Sequence, residues 1–465
     1  MEESKTVTPD DKDKTVVSPE SGGEATVVIA GTGDATLVAI PSPGVATQIA
    51  PTLQTIDISE LKPFVSANLH LHNPYAFAGA RSENYILVEL TGEFRGQRFA
   101  RPPVHLSIVL DKSGSMEGRP LEQVKEACRQ IIDKLGPADT ISIITFAENV
   151  DINTPQTPVT KKEALKAQLD LIRARGTTNL YGGMVAGANQ LQLVKAPTHL
   201  SRVILLTDGE ANEGITEYAE IIAKARQIRK EGLSISTIGV GIEYNEELMR
   251  GIAKNTLGNY YYIDNINDIP RVFEEELSTL FEVVAKNLLL KLKFPRGVRL
   301  AKFYGREVQT ADGFLEVGLP ELVAGKTQHH LIKLAFDAHP EARFRVVQAE
   351  INFEYIGQTQ TSRLTADAIV EFTRDKNKIL GSINAKVEEI MRLKDVVAEI
   401  SRAKELLAKD AGTATMIIDR AKTMLLEAGR KDDATLVAEA MDKLAKGEVE
   451  RAEKTLGATE WELEE

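Results

Sequence analysis

Two hydrophobic patterns divide the chain into regions of different structure. Between residues 103 and 282, short aliphatic runs alternate with stretches of helical period, which is typical of a parallel sheet covered by helices on both faces. Residues 61–102 and 283–375 instead alternate apolar and polar positions between Gly and Pro. That alternation predicts the strands of one β-sandwich, whose two halves flank the α/β region.

Several elements can be placed along this pattern. The predicted strands of the α/β region cover residues 106–111, 141–147, 202–207, 234–240 and 259–263, and a closing helix covers residues 270–286. The predicted strands of the second sandwich half cover residues 287–294, 313–317, 329–336, 346–353 and 369–372.

The two ends of the chain lack sheet patterns. Residues 1–60 are rich in Thr, Ala, Gly, Pro and Val, and such a segment predicts a disordered tail. Residues 376–465 contain no proline, and their helical periods predict a helical bundle or a pair of helical hairpins. These periods cover residues 379–408, 415–428 and 434–446, with breaks at Gly412 and Gly429. The expected fold class is therefore α/β: a doubly wound, mostly parallel sheet inserted in a β-sandwich, followed by a C-terminal helical region.

Candidate metal ligands stand where buried strands of the α/β region end. Asp111, Ser113 and Ser115 follow the first strand at alternate positions, and Asp208 directly follows a later strand. Thr178 stands on a Gly-punctuated loop before a helical stretch. Because open α/β sheets place their ligand sites at the carboxyl ends of the strands, these side chains are expected to converge. They offer only oxygen, the donor atom that Mg²⁺ and Mn²⁺ prefer.

At these residues the chain resembles the von Willebrand factor type A domain with a complete metal-ion-dependent adhesion site, in a bacterial type with a flanking β-sandwich and C-terminal helices. The family pattern is Asp-x-Ser-x-Ser, then a distant Thr, then an Asp on a later strand. The matching residues here are Asp111, Ser113, Ser115, Thr178 and Asp208, and the resemblance covers about residues 103–282.

The resemblance implies a role for each of these residues. Ser113 and Ser115 would bind the cation directly, Asp111 and Asp208 would act mostly through waters, and Thr178 would enter or leave the coordination sphere with ligand state. The sixth position would be filled by a carboxylate of a partner protein. This division agrees with the chemistry of Mg²⁺, which keeps several waters and takes six oxygens.

Composition limits the classes of partner and compartment. The net charge of −12 and the pI of about 5.3 argue against nucleic acid or an anionic membrane as the main partner. No secretory signal and no membrane-spanning apolar run is visible in the sequence. The single cysteine, Cys128, rules out an internal disulfide and favours a reducing cytoplasm. Its place on a helical apolar stripe predicts a buried side chain.

Other chemistry has less support. His70 and His72 share a strand face, but no third zinc ligand has suitable spacing, so we expect polar positions on a solvated sheet. Phosphoryl transfer at Asp111 would require a second acidic residue, two positions after it, to protonate the leaving group. Ser113 stands there, and a hydroxyl is a poor general acid at neutral pH. The chain is therefore expected not to be an enzyme.

Four threonines of the tail recur with a β-branched residue at the second position after each. They are Thr15, Thr26, Thr36 and Thr47, at spacings of 11, 10 and 11 residues. Such spacing predicts phosphorylation by a Ser/Thr kinase and binding to a phosphothreonine-reading domain. The alternatives are a plain Thr/Val-rich linker or weak strands whose pairing partner the sequence does not identify.

The sequence thus favours a cytoplasmic, Mg²⁺-dependent protein–protein interaction module that captures an Asp or Glu of a partner protein. One alternative is a metal-independent scaffold that uses the sandwich or the helical region. Others are an adaptor for an AAA+ ATPase and, with less support, a Mg²⁺-dependent phosphohydrolase.

Overall fold

A computed structural model describes residues 24–26, 34–39, 62–95, 101–305, 308, 310 and 313–464. The N-terminal strands are β1 (Glu24–Thr26), β2 (Asp34–Ala39), β3 (Lys62–Leu71), β4 (Tyr75–Phe77) and β5 (Ser82–Arg95). The α/β region contains β6 (Val104–Asp111), α1 (Arg119–Lys134), β7 (Thr140–Phe146), β8 (Val150–Pro158), α2 (Lys162–Leu169), α3 (Leu180–Gln192), β9 (Leu200–Thr207), α4 (Tyr218–Lys230), β10 (Ser234–Val240), α5 (Glu246–Thr256), β11 (Tyr260–Ile263) and α6 (Ile269–Phe281).

The described residues after α6 form seven strands and five helices. The strands are β12 (Val283–Lys293), β13 (Val298–Phe303), β14 (Phe314–Gly318), β15 (Leu322–Val323), β16 (Thr327–Phe336), β17 (Ala342–Tyr355) and β18 (Thr361–Thr373). The helices are α7 (Lys376–Leu380), α8 (Ala385–Leu407), α9 (Ala411–Glu427), α10 (Lys431–Ala445) and α11 (Val449–Glu464).

The α/β region is one six-stranded sheet with helices on both faces. Its strand order is β11-β10-β9-β6-β7-β8, and every pairing is parallel except that of β7 with β8. Helices α1, α2 and α6 bury their apolar stripes on one face, and α3, α4 and α5 bury theirs on the other. Strand β6 is buried at every position, as expected of a central strand covered on both faces. The predicted doubly wound, mostly parallel sheet is confirmed.

Two further sheets pack against each other to form the sandwich. In one sheet the strand order is β1-β18-β17-β12-β14, and in addition β4 pairs with β18 and β15 pairs with β12. The other sheet has the strand order β13-β16-β5-β3-β2. Along β17 and β18 buried positions alternate with half-buried ones, because alternate side chains of a strand point to opposite faces. The inner faces share one apolar core. Since strands of both sheets precede and follow the α/β region, that region is inserted in the sandwich.

Helices α8 to α11 cover the outer face of the five-stranded sheet. Leu87 of β5 and Leu331 of β16 share an apolar core with this helical region. Helix α11 also contacts the α/β region, where Trp461 joins the core and lies 5.8 Å from the ring of Tyr260 in a T-shaped arrangement. The helical region therefore packs on both other parts of the molecule. Among the described helices, none has the length and apolarity needed to cross a membrane.

Some predicted elements differ from the structure. The helix predicted for residues 270–286 ends at Phe281, because the next residues form β12 and pair with β17. Gly412 does not break a helix but lies in the first turn of α9, which Asp410 caps by accepting a hydrogen bond from the Thr413 amide at 3.0 Å. The long helical run is split near Gly381, and α11 was not predicted as a separate helix.

The tail predicted for residues 1–60 lies mostly outside the described residues. Two short parts of it, however, form strands: β1 pairs with β18 and β2 pairs with β3. Thr26 lies in β1 and Thr36 in β2, whereas Thr15 and Thr47 lie outside the described residues. At these two positions the structure agrees with the weak-strand alternative. Phosphorylation of the four threonines stays a prediction.

Trp461 supplies a stability test of the contact between α11 and the α/β region. Its side chain is 7% exposed, so Trp461→Ala should lower the free energy of unfolding by about 3–5 kcal/mol. Urea unfolding followed by circular dichroism measures this change. The control Leu193→Ala, at a position that is 73% exposed, should change stability by less than about 0.5 kcal/mol. Equal stability of the two variants would contradict the described packing.

Candidate metal centre

The parallel pairing of β6 with β9 brings two aspartates to the same edge of the central sheet. Leu110 lies opposite Leu206 in this pairing, so Asp111 and Asp208 leave adjacent strands at their carboxyl ends. The carboxylate of Asp111 is fully buried. It accepts hydrogen bonds from the Ser113 amide at 2.7 Å and from the Thr207 hydroxyl at 2.5 Å. Thr207, the last residue of β9, thus fixes the orientation of Asp111 from the neighbouring strand.

The two serines form a polar chain that leads to Asp208. Ser115 lies in a short 3₁₀ turn, Gly114–Met116, and its Oγ is 3.0 Å from Ser113 Oγ. The Ser115 hydroxyl donates a hydrogen bond of 2.7 Å to Asp208 Oδ1. Ser113 is buried while Ser115 is exposed, so the pair extends from the sheet edge toward solvent.

The loop that carries Thr178 is bonded to both other loops. The Arg175 amide donates to Lys112 O at 2.7 Å, and the Gly114 amide donates to Gly176 O at 3.2 Å. A Cβ placed on Gly209 would lie 3.6 Å from Thr178 Oγ1 and 3.8 Å from Ser115 Oγ. These two hydroxyls therefore face the same small space, which the glycine leaves open.

Thr178 is held on its other side by Asn212, which follows Asp208 in the chain. The Thr178 amide donates to Asn212 Oδ1 at 2.8 Å, and the Asn212 amide donates back to Thr178 O at 3.1 Å. These two hydrogen bonds join the Thr178 loop to the loop that follows β9, so all three loops meet at the same sheet edge. The structure thus places Asp111, Ser113, Ser115, Thr178 and Asp208 together.

Close packing of α3 on the sheet explains why the Thr178 loop reaches the other two. A Cβ on Gly183 would lie 2.6 Å from Phe146 Cδ1, and one on Gly187 would lie 2.5 Å from Val109 Cγ2. Any larger side chain at these positions would push the helix away from the sheet. Asn179 caps α3 by accepting a hydrogen bond from the Gly182 amide at 2.9 Å, which sets the position of Thr178 just before it.

Both aspartates are poorly solvated. Burial raises the pKa of Asp111 to about 6, although the hydrogen bonds from Thr207 and Ser113 oppose that rise. Burial also raises the pKa of Asp208, and the negative charge of nearby Glu243 adds to the effect. Burial away from water destabilises the ionised form of both carboxyls, and a nearby positive charge would stabilise it. A bound cation would supply that charge.

The site opens into a cleft of ≈ 660 Å³. None of the residues lining this cleft is Lys, Arg or His, so no cationic side chain neutralises the aspartates there. The lining residues are Ser113, Gly114, Ser115, Gly176, Thr177, Thr178, Gly209, Glu210, Asn212, Ile242, Glu243 and Glu450. Hydroxyl and carboxylate oxygens, without imidazole nitrogen or thiolate sulfur, fit a hard divalent cation such as Mg²⁺ or Mn²⁺.

The histidine pair considered from the sequence does not form a second centre. His70 Nε2 lies 2.7 Å from Glu89 Oε2, and Lys386 Nζ also lies 2.7 Å from that carboxylate. Within the described residues, no group of three or more His, Cys, Asp and Glu side chains could hold a metal ion. The candidate centre contains only two carboxylates, those of Asp111 and Asp208, and its other oxygens belong to hydroxyl groups.

Sequence reasoning missed three residues that complete the site. Thr207 was assigned only to a strand, yet its hydroxyl orients Asp111. Asn212 lies four residues after Asp208, in a loop whose fold the sequence pattern does not specify. Glu450 belongs to α11 and reaches the cleft from the far end of the chain. Of the three residues, only Thr207 carries a sequence signal for a site, because it is a polar residue at the end of a buried strand.

Comparison with known proteins agrees with this geometry. Residues 105–275 match the family model of the von Willebrand factor type A domain, so the chain contains such a domain. The uncharacterized Synechocystis sp. protein sll0103 is 27% identical over 335 residues, which cover 70% of this chain and 79% of that protein. Inter-alpha-trypsin inhibitor heavy chain H1 of Sus scrofa is 27% identical over 232 residues, or 47% of this chain and 25% of that protein. The chain thus spans about a quarter of the latter relative.

Two solved structures share the fold over most of the chain. A von Willebrand factor type A protein from Catenulispora acidiphila has a TM-score of 0.67 at 18% identity and covers 83% of this chain and 91% of its own. The ArnB paralog VWA2 from Sulfolobus acidocaldarius has a TM-score of 0.59 at 18% identity, and the match covers 86% of this chain and 98% of that protein. Their extent shows that the fold is shared well beyond the α/β region.

Asn212 allows a test of the loop arrangement that needs no ligand. Asn212→Ala removes the acceptor of the Thr178 amide, so hydrogen exchange at that amide should become at least about tenfold faster. Mass spectrometry or NMR measures the exchange. The matched control is Glu213→Ala in the same loop, which keeps its backbone hydrogen bond to Thr178 O and should exchange as the native protein does. Unchanged Thr178 exchange in Asn212→Ala would show that the loops are not held in this way.

Proposed function

We propose that this protein is a metal-dependent protein–protein interaction module and that Asp111, Ser113, Ser115, Thr178 and Asp208 hold its Mg²⁺ or Mn²⁺ ion. The observation that carries the proposal is the convergence of five oxygen-bearing side chains from three loops at one sheet edge. The match of residues 105–275 to the von Willebrand factor type A domain supports it. Relatives of that class include inter-alpha-trypsin inhibitor heavy chains.

The proposed ligand is a carboxylate of a partner protein. When bound, the cation supplies an electrophilic coordination position that an Asp or Glu side chain can fill. The chain's own residues contribute the geometry: the hydroxyls of Ser113 and Ser115 lie together at 3.0 Å, and Asp111 is held in place by two hydrogen bonds. Because Ser115 is exposed, a partner side chain has access to this point from the cleft.

We propose a binding role rather than a catalytic one. The residue two positions after Asp111 is Ser113, whose hydroxyl is a poor general acid at neutral pH. The cleft lining includes no His or Lys that could move a proton near pH 7. We also propose that the protein works in the reducing cytoplasm, since its single cysteine, Cys128, is a buried free thiol. Burial raises the pKa of that thiol to about 12, so it is not a reactive thiolate.

Substitutions at the centre should separate metal binding from partner binding. Asp111→Ala, Asp208→Ala and the double change Ser113→Ala with Ser115→Ala should each abolish Mg²⁺ binding in calorimetry. Circular dichroism should stay native, because these residues lie at or just beyond the carboxyl ends of β6 and β9 and outside the apolar cores. Thr178→Ala should weaken partner binding more than metal binding if, as we propose, its hydroxyl joins the coordination sphere only when the partner is bound.

The control for this series is Asp170→Ala, which removes a surface carboxylate that pairs with Arg129 on α1 and should leave Mg²⁺ affinity unchanged. Native Mg²⁺ affinity in Asp208→Ala would contradict the assignment. Equal loss of metal affinity in Thr178→Ala and Asp208→Ala would contradict the division of roles.

Capture of partners should depend on the metal. Lysate proteins that bind the immobilised chain in Mg²⁺ should be released by EDTA, and Asp208→Ala should fail to retain them in either buffer. Quantitative mass spectrometry of the bound fraction measures this difference. If the same proteins bind with and without Mg²⁺, the chain acts as a metal-independent scaffold instead.

A further inference from the structure

Helix α11 borders the cleft of the candidate metal centre although it lies near the opposite end of the chain from β6. Glu450, in its first turn, is exposed and lines the cleft together with Ser113, Ser115 and Thr178. The surface around the centre is therefore made by two parts of the molecule, the α/β region and the final helix.

The start of α11 is firmly attached to the α/β region. Arg451 forms an ion pair with Asp264, which follows β11, and Lys443 of α10 lies 3.1 Å from the same carboxylate. One turn further along the helix, Lys454 Nζ donates to Tyr244 O at 2.6 Å and stands over the Tyr244 ring at 3.8 Å. These contacts fix the backbone that carries Glu450 at the edge of the cleft.

The rim of the cleft is acidic. Glu210 follows β9, Glu243 follows β10, and Glu450 comes from α11. Arg451 and Lys454, the two cations of α11, face Asp264 and Tyr244 and are not among the lining residues. The three glutamates thus have no cationic neighbour among the residues that line the cleft.

Charge counting shows what this rim does to a ligand. The two aspartates of the centre and the three rim glutamates carry five negative charges. A divalent cation supplies two positive charges and leaves an excess of three negative ones. An approaching carboxylate is therefore repelled by the rim while it is attracted by the ion, and positive side chains next to that carboxylate remove the repulsion.

We propose that this cleft selects a partner segment whose Asp or Glu is flanked by Lys or Arg, and that Glu450 makes α11 part of the docking surface. The proposal rests on the metal-dependent carboxylate capture proposed above and adds the chemistry of the partner around the bound carboxylate. The carboxylate of the segment binds at the centre, and its flanking cations lie against Glu210, Glu243 and Glu450.

Short fluorescein-labelled peptides test this preference with the full chain. Each has one central Asp flanked on both sides by Lys, by Ser or by Glu, and its binding is followed by anisotropy in Mg²⁺ and in EDTA. The native protein should bind the Lys-flanked peptide most tightly and the Glu-flanked one least tightly. Because exposed charges are screened by salt, the difference should shrink between about 0.05 M and about 0.5 M NaCl.

Glu450→Lys should reduce the ratio of Lys-flanked to Glu-flanked affinity by about threefold or more, and Glu450→Gln should reduce it by less. The matched control is Glu453→Lys, which makes the same charge change at an exposed position of α11 that does not line the cleft. That variant should keep the native ratio. Circular dichroism checks that all three variants fold.

Three results would overturn the inference. A native affinity ratio in Glu450→Lys would remove α11 from the docking surface. Equal strengthening of all peptides by Glu450→Lys and Glu450→Gln would make Glu450 an internal competitor for the centre rather than a selector. No Mg²⁺-dependent binding of any peptide would contradict the metal-dependent function itself, and the inference with it.

Discussion

Strands β6 and β9 lie side by side in the central sheet and run in the same direction. Parallel neighbours end at the same edge, so the residues that follow them meet there. This pairing places Asp111 next to Asp208 and allows the hydroxyl of Thr207 to bond the Asp111 carboxylate across the two strands. Every other part of the centre depends on that edge, because the serine turn and the Thr178 loop are attached to it by hydrogen bonds. A sheet with these two strands antiparallel would separate the carboxylates by the length of a strand.

The residues that line the cleft at this edge provide no positive charge. Asp111 is fully buried and has a raised pKa, and the cleft in front of it is lined by hydroxyls, glycines and further carboxylates. Elsewhere in the described structure, buried carboxylates have cationic partners: Glu276 pairs with Arg202 at 3.0 Å, and Asp139 pairs with Arg101 at 2.5 Å. The contrast supports a cation as the intended partner of the two aspartates at the centre.

The central sheet and the centre could be predicted from the sequence because their signals are local. Fully apolar strands that end in Asp or Ser identify both the sheet and its functional edge, and the predicted strand at 234–240 coincides with β10. Strand β8 was not predicted, since its polar residues follow no clear alternation. Helix α11 packs through contacts with Tyr244 and Asp264, which are distant in sequence. The part that Glu450 plays in the cleft could be found only from tertiary packing.

Anomalous diffraction from a crystal grown with Mn²⁺ would show whether a cation binds between the two aspartates. Mn²⁺ takes the same oxygen ligands as Mg²⁺ and can be located by its anomalous signal. We expect one strong peak about 2 Å from both Ser113 Oγ and Ser115 Oγ, with Asp111 and Asp208 around it. A map with no peak at this sheet edge under saturating Mn²⁺ would contradict the assignment of a metal centre.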